Sequence, residues 1–538
     1  MPVLKRSLSV LFLALVLLAS WQCARRGNPS GGPKDETPPV LLRSEPENLT
    51  VNFKGNQIKL YFDEYIKLQD AQNQLIVSPP LKYTPEIKPL GGASKFIEIN
   101  LKDTLQENTT YTINFGQSIV DNNEGNPTSF LTYVFSTGDY LDSLSISGAV
   151  KDAFNRKADE FVSVMLYELD TAYTDSSIYK KPPNYITNTL DSLPLFELKN
   201  LKAGRYALFA IKDEGKNNLF DQRSDKIAFG DTITVPSDSL FLMNLFKEEP
   251  DYSASVPSYV AKNKIIFGYQ GRGTVNIEPL TVLPDSVRTR ITKEREKDSL
   301  NYWLTPTDID SIIFVVTNSQ ADTKDTFTVK TRKLGLDTLM LSPSHSRSIN
   351  FNERFEILAN TPITGLDTSK INVIDKDSLG VTFTASKDSI ENKIAFDFEL
   401  TEDQKYTVRA LPGAISDFFG TENDTVFYTV STGKYSEYGN LEVNISGVDA
   451  YPIIVQLTTD KGELVRELLA DAPKGFTFNN LSPGNYGIRV IFDTNGNGKW
   501  DTGNYLQKKQ PERISYYPNF VNIRANWEQV ETFIIAPN

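Results

Sequence analysis

Phe196-Glu-Leu-Lys-Asn200-Leu201-Lys-Ala-Gly204-Arg-Tyr206, running on to Asp213, Asn217 and Asp221, is written twice in this chain. Phe476, Asn480, Leu481, Gly484, Tyr486, Asp493, Asn497 and Asp501 repeat those positions 280 residues later without a gap (196 to 476, 221 to 501). A module has been duplicated. Upstream the echo is looser: Tyr133-Val-Phe-Ser-Thr-Gly138-Asp-Tyr140 returns as Tyr428-Thr-Val-Ser-Thr-Gly433-Lys-Tyr435, and Phe62-Asp-Glu64 returns as Phe351-Asn-Glu353. The chain therefore reads as a pair of two-domain units with a further segment between them.

Short alternating runs dominate, among them Val51-Asn-Phe53, Ile58-Lys-Leu-Tyr-Phe62, Phe96-Ile-Glu-Ile-Asn-Leu101 and Tyr111-Thr-Ile-Asn-Phe115. Turn residues at Pro79-Pro80, Gly91-Gly92 and Asp121–Asn126 separate such runs, and half-buried strands at this spacing predict an all-β sandwich. The 538 residues suffice for four or five domains of about 100 residues, each with its own core. The formal charge is −12, and loss of a leader holding Lys5 and Arg6 makes it more negative by two. Nucleic acid and anionic headgroups are attracted by clustered Lys and Arg, so neither is expected as a partner.

Asp35-Glu-Thr-Pro38-Pro39, Phe62-Asp-Glu64, Tyr111-Thr-Ile, Asp121–Asn126 and Phe135-Ser-Thr-Gly138 together resemble the bacterial Ig-like domain of surface-layer proteins (the SbsA type). That resemblance implies a spacer or interaction sandwich over 36–140, repeated over 336–435. Ile146-Ser-Gly148, Val162-Ser-Val-Met-Leu-Tyr167 and Asn200-Leu-x-x-Gly204-x-Tyr206 are similar to the carboxypeptidase regulatory-like, transthyretin-like sandwich, expected over 144–250 and again over 439–538. In that element glycine is expected to supply the tight turn and tyrosine to return into the core. Residues 255–335 are read as a third sandwich from Lys264–Gly268 and Ile312–Val316, with Lys293–Asp298 as a solvated charged helix or loop. The fold class is thus all-β, a tandem array of about five β-sandwiches. Short links such as Gly138–Ser143 and Gly433–Tyr438 predict a semi-rigid rod.

Residues 1–22 join Lys5-Arg6 to the apolar run Leu8–Ala19, too short to span a bilayer and of signal-peptide length. Cys23, the one cysteine, follows directly. The arrangement resembles a lipoprotein signal, with Gln22 where a small residue is usual, and implies lipidation of Cys23 and acyl chains in a lipid bilayer. Residues 23–35, rich in Gly, Pro, Ser and Asn, predict a flexible tether. Lys34-Asp35-Glu36 is similar to the acidic signals that send lipoproteins of Bacteroidota to the outer face, and serves equally as a polar lead-in to the first strand.

Candidate chemistry is sparse. His345 is the one histidine and sits in the turn-like Ser342-Pro-Ser-His345-Ser-Arg347, so no Ser-His-Asp or Cys-His device and no His/Cys zinc site is expected. The 68 acidic residues offer many pairs, none marked out for catalysis. Asp493-Thr-Asn495-Gly-Asn497-Gly-Lys499-Trp-Asp501 has the oxygens, glycine and backbone carbonyl (Lys499) of a calcium loop, but Asn504 replaces its bidentate glutamate. Asp213, Asn217 and Asp221 form a weaker copy because Gly215 has no ligand. Structural calcium is the one cofactor candidate; the alternative is a turn in which Asp and Asn cap the backbone while Phe220 or Trp500 packs inward. Tyr505, Tyr516, Tyr517, Phe520, Trp527 and Trp303 are candidates for a sugar-stacking platform, against core packing as the commoner role.

The resemblances imply a non-enzymatic outer-membrane lipoprotein, cell-surface exposed or, alternatively, facing the periplasm. Its expected role is that of an accessory subunit on an outer-membrane β-barrel complex that assembles or exports surface proteins. A surface glycan-binding or adhesion protein is the alternative.

Overall fold

The computed structural model describes residues 35–128, 130–189, 193–295 and 297–536. Cys23, the leader and nearly all of the tether lie outside the described residues. The chain divides into two compact units, one ending at Asp142 and the other running from Ser143 to Asn538. The described residues are strands and turns, with one four-residue α-helix, Ala71–Gln74, and three single 3₁₀ turns.

The first unit holds one sandwich. Leu41–Glu45, Gln57–Leu68, Ser94–Asn100 and Glu86–Lys88 form one sheet in that order, with Ile119–Asp121 beside Gln57–Leu68; Ile76–Ser78, Thr110–Asn114 and Thr132–Ser136 form the other. Alternate residues Ile58, Leu60 and Phe62 stand beside Ile97 and Ile99 of the neighbouring strand on one face of the sheet and meet Tyr111, Ile113 and Phe135 in the core, as a period of two requires. The Ser-Thr-Gly motif ends a strand and then closes a corner. Thr137 Oγ1 donates to the Gln106 carbonyl at 2.7 Å and accepts from Thr109 N at 3.0 Å, while Tyr111 Oη accepts from Gln106 N at 2.9 Å.

The second unit holds four cores. The sandwich built on Leu341–Pro343, Phe355–Ala359, Lys393–Asp397 and Thr384–Asp388 repeats the sheet order of the first unit and its corner: Thr432 Oγ1 donates to the Thr401 carbonyl at 2.6 Å, and Tyr406 Oη accepts from Thr401 N at 2.8 Å. Phe351 departs from the sequence reading. Phe62 is buried in a strand, whereas Phe351 sits in a turn against Tyr435 at 4.5 Å and Tyr438 at 5.4 Å. Val51–Phe53 likewise forms no strand. The third sandwich gathers Phe267, Tyr302, Ile312 and Phe314, and Glu294, from the charged run, lies in a loop held by Asn301 at 2.6 Å.

The duplicated modules share one topology. Leu144–Asp152 runs between Leu195–Leu201 and a parallel last strand, Leu240–Leu245; Gly439–Ser446 runs between Gly475–Leu481 and a parallel Glu528–Ile534. In both, the turn residue of Asn-Leu-x-x-Gly-x-Tyr differs from expectation. The left-handed residues are Asn200 (φ 58°) and Asn480 (φ 54°). Asparagine tolerates that region, and glycine serves another purpose: a Cβ at Gly204 would meet the Tyr206 ring at 3.3 Å. The tyrosine then donates back, Tyr206 to the Lys202 carbonyl at 3.1 Å and Tyr486 to the Ser482 carbonyl at 2.7 Å.

Residues 143–538 do not form a rod. Arg288 Nη2 donates to the Phe418 carbonyl at 3.0 Å, joining the third and fourth sandwiches, and Asn350 Nδ2 donates to the Asn480 carbonyl at 2.9 Å, joining the fourth and fifth. The fifth returns to the second, where Gln510 Nε2 donates to the Phe229 carbonyl at 2.9 Å and Thr502 Oγ1 to the Lys247 carbonyl at 2.5 Å. Contacts within this unit therefore run in a closed circuit. Short links give direction to neighbouring domains but do not set the turn at each joint, so link length alone misled.

Candidate functional site

The later of the duplicated Asp-rich loops lies at the second-to-fifth contact, and the earlier leads into Gln222, which reaches that contact through Glu248. Asp493 is 1% exposed; its carboxylate accepts from Gly498 N at 2.7 Å and Asn497 N at 3.1 Å. Asp213 does the same for Asn218 N at 2.7 Å. A second carboxylate closes each loop from outside it. Glu512 accepts from Thr494 N at 2.7 Å and Asp501 N at 2.9 Å, and Asp225 accepts from Glu214 N at 3.1 Å and Asp221 N at 2.8 Å. Sequence reading missed both Glu512 and Asp225, which stand eleven and four residues past the last aspartate of their repeats.

These arrangements test the calcium loop. Asn495 and Asn497 turn their oxygens to backbone N–H groups of Asn497 and Lys499 at 3.0 and 2.8 Å, and their amide nitrogens to Asp501. Arg272 Nη1 donates to Asp501 Oδ1 at 2.8 Å, and Lys509 Nζ stands 4.0 Å from Oδ2. Burial opposes ionisation of Asp501, but the Arg272 and Asn495 hydrogen bonds outweigh it and hold the carboxyl below its ordinary value. The oxygens of Asp493, Asn495, Asn497 and Asp501 are thus turned to N–H donors rather than to a common centre, and in this arrangement the donor set does not fit resident calcium. In the earlier loop Asn217 Oδ1 accepts from Leu219 N at 2.8 Å and Asp221 Oδ1 from Arg223 N at 2.9 Å, while Asp213 Oδ1 is buried without a partner. Burial raises the Asp213 carboxyl. Among the described residues no three His, Cys, Asp or Glu side chains gather as a metal site.

Beyond Asp501 the fifth sandwich sends Tyr505 into the second. The ring is 2% exposed and meets Phe209 at 5.1 Å, Phe229 at 5.3 Å and Tyr179 at 6.5 Å, with Lys508 Nζ 4.0 Å from its centroid. Its hydroxyl donates to Asp175 Oδ1 at 3.1 Å, and Tyr505 N donates to the buried Glu248, whose other oxygen accepts from Gln222 at 2.9 Å. Burial, then Tyr173 and Asp175, push the phenol far above its ordinary value, so it is a neutral donor throughout the physiological range. Alongside, Trp500 packs on Phe154 at 4.7 Å. The aromatic platform is accordingly broken up. Trp303 is fully buried, Tyr505 is the plug, and Tyr517 packs on Phe533 at 5.5 Å. Phe520 and Trp527 stay exposed, and Phe520 lines a cleft with Tyr516.

His345 has closer neighbours than its sequence suggests. Ser344 Oγ lies 2.9 Å from Nδ1 and Glu353 Oε2 lies 3.3 Å from Nε2. Ser344 Oγ also accepts from Glu356 N at 2.8 Å, and Glu353 from Asn350 N at 2.8 Å. Both oxygens are tied to the backbone of an exposed turn, with no enclosure around the serine, so the trio braces the turn rather than forming an enclosed nucleophile site.

This is a multidomain, all-β protein of tandem β-sandwiches, Ig-like in its first domain. Residues 35–137 match the bacterial Ig-like domain family. No curated protein matches the chain. Among solved structures, a surface-layer protein, SbsC, aligns over 90% of this chain and 67% of its own at 13% identity and a TM-score of 0.17. The BSP domain of a biofilm-associated protein aligns over 85% and 93% at 8% identity and 0.15, and the major pilin subunit of Bacillus cereus over 74% and 99% at 11% identity and 0.13. At such scores these likenesses carry no argument.

Proposed function

We propose that this chain is a non-catalytic scaffold of the cell surface, held in the outer membrane by lipid on Cys23 and docked as an accessory subunit on a β-barrel complex that assembles or exports surface proteins. The observation that carries the reading is a pair of open sheet edges. Leu240–Leu245 and Glu528–Ile534 each end a three-stranded sheet, and each turns apolar side chains to solvent: Leu240 and Leu242 at 75% and 77% exposure, Val530 and Ile534 at 61% and 73%. An exposed apolar edge strand is a template for strand addition by a partner. Photocrosslinkers at Leu242 and Ile534, used in whole membranes, are expected to capture a β-barrel protein, and Cys23→Ser to abolish both labelling by fatty acid and capture. Recovery of the chain alone from every position would sink the reading.

A second reading, surface glycan binding or adhesion, is favoured by the cleft in which Phe520 and Tyr516 stand beside several cations. Retention on immobilised polysaccharides, lost on Phe520→Ala, would support it.

A further inference from the structure

The outer face of the fifth sandwich carries a charge that its fold does not need. Arg489 occupies the strand position at which the duplicate has Phe209, 280 residues earlier, so this topology accepts an apolar ring there. Arg489 is nevertheless 5% exposed. Its Nε donates to Gln456 Oε1 at 2.6 Å, its guanidinium lies 4.3 Å from the centre of the Phe154 ring, and Tyr516 is its remaining neighbour. Among the described residues no carboxylate approaches it within ion-pair distance; Glu467 lies one step away, accepting from Gln456 Nε2 at 2.9 Å. Burial accordingly pulls the guanidinium below its ordinary value. A buried charge whose nearest carboxylate, Glu467, reaches it only by way of Gln456 is costly to hold, and an anion entering the site offsets that cost.

Arg489 forms the floor of a cleft of about 770 Å³ between the second and fifth sandwiches. Arg156, Lys212 and Lys461 also line it, and none of the four has an ion-pair partner among the described residues. Lys212 Nζ donates to the Glu160 carbonyl at 2.7 Å, and Arg156 reaches the Pro518 carbonyl and lies 4.7 Å from the Phe520 ring centre. The carboxylates of the same wall are mostly taken: Asp159 by Lys226 at 2.7 Å and Glu160 by Lys157 at 3.0 Å, which leaves Asp460. Four unpaired cations thus face one free carboxylate in a chain whose net charge is −12. Gly487 keeps the floor low, since a Cβ there would meet Phe520 at 3.4 Å and Thr458 Oγ1 at 2.8 Å. Phe520, 44% exposed, offers an apolar ring at the rim.

We infer that this cleft binds a carboxylate-bearing saccharide, a uronic-acid unit whose carboxylate meets Arg489, Arg156 and Lys212 while its pyranose face lies on Phe520. Cations that converge on a cleft bind carboxylates through charge-assisted hydrogen bonds, and an aromatic face supplies apolar contact to a sugar ring. The inference deepens the glycan reading above and is independent of docking on a β-barrel. The test is calorimetric titration of the mature chain with a galacturonate trisaccharide, a neutral trisaccharide of the same linkage and inorganic phosphate. The uronate is expected to bind, more weakly as salt rises, with the neutral sugar at least ~10-fold weaker. Arg156→Gln with Lys212→Gln should weaken it by roughly 10-fold or more, equivalent to about 1.4 kcal/mol. Arg489→Phe installs the duplicate's own residue, so it should fold and lose binding; a circular-dichroism melt checks the fold. Phe520→Ala should weaken the saccharide and leave phosphate unchanged. Uronate and neutral sugar bound alike, with the cation variants unaffected, would overturn the inference and keep the glycan reading. Phosphate bound as tightly as the uronate would overturn the saccharide assignment, and no binding of any sugar would overturn both.

Discussion

Truncating one side chain should open the second unit. Tyrosine removes roughly 150–250 Å² from water when it is buried, and its ring at 2% exposure places Tyr505 at the full value. At about 25 cal/mol per Å² this is about 4–6 kcal/mol, an upper figure because the undocked loop keeps some cover; aromatic-to-alanine losses of about 3–5 kcal/mol are the working estimate. Loss of the Asp175 hydrogen bond is included in that figure. Tyr505→Ala should therefore lower the docked-to-open ratio of the second and fifth sandwiches by roughly 100- to 4,000-fold, at about 1.4 kcal/mol per tenfold. Hydrogen exchange reads this directly, since amides protected by docking exchange through that opening. Exchange should quicken in Ser177–Tyr179 and across 501–512, while the core strand Ile453–Thr459 keeps its wild-type rate. Leu506→Ala, one residue away and 58% exposed, is the control and should change nothing. Unchanged exchange in Tyr505→Ala would refute the plug. Equal acceleration in Ile453–Thr459 would refute it too, because the ring would then be serving the fifth core.

Arg272→Gln should weaken the Asp501 contact by roughly 1 kcal/mol, a figure discounted because Arg272 is 61% exposed. Because the Asp501 carboxyl lies below its ordinary 3.8, its contribution is complete above that pH and is lost as pH falls through the lower folded value; near-ultraviolet dichroism of Trp500 should follow that loss in wild type and lose the step in Arg272→Gln. Calcium should leave the wild-type melting midpoint unmoved, and a rise that persists in Asp213→Asn would show that the later loop binds the ion despite Arg272. Gly204→Ala should cost about 1–2 kcal/mol by crowding Tyr206, whereas Gly484→Ala, with 3.8 Å to Tyr486, should cost less; urea midpoints of the two variants decide it.

The parts of this fold legible in the sequence are those whose physics is local. Alternation in Ile58-Lys-Leu-Tyr-Phe62 marks a half-buried strand because period two is a property of the strand itself. The duplicated Asp213 and Asp493 were visible as loop residues because they bond backbone groups five residues on. Their closing partners were not: Glu512 lies nineteen residues beyond Asp493 (493 to 512), in no motif. Asn200 and Asn480 were passed over for the neighbouring glycines, since glycine is the commoner bearer of positive φ. Tyr505, for which a sugar platform and core packing were both open, is 2% exposed in a contact between domains. Such contacts depend on side chains hundreds of residues apart, and the sequence carries no pattern for them.

The copies differ where the unit closes. Asp225 lies four residues past Asp221, and Glu512, in the same role, eleven past Asp501; the later copy has gained seven residues in this span (11 − 4), Tyr505 among those it holds. The receiving copy has changed to match. Phe209 and Phe229, paired across the sheet, face Tyr505, while the corresponding pair in the later copy is Arg489 and Tyr516. Two identical modules meeting through one patch would make a two-fold contact; here a knob on one enters a socket on the other, a heterologous contact that propagates between separate molecules unless its geometry closes. The third and fourth sandwiches supply that closure, returning the fifth to the second within one chain. Divergence after duplication thus gave one copy an apolar socket and the other a charged floor. The socket is filled by the protein itself, whereas the cleft over Arg489 stays open to a ligand.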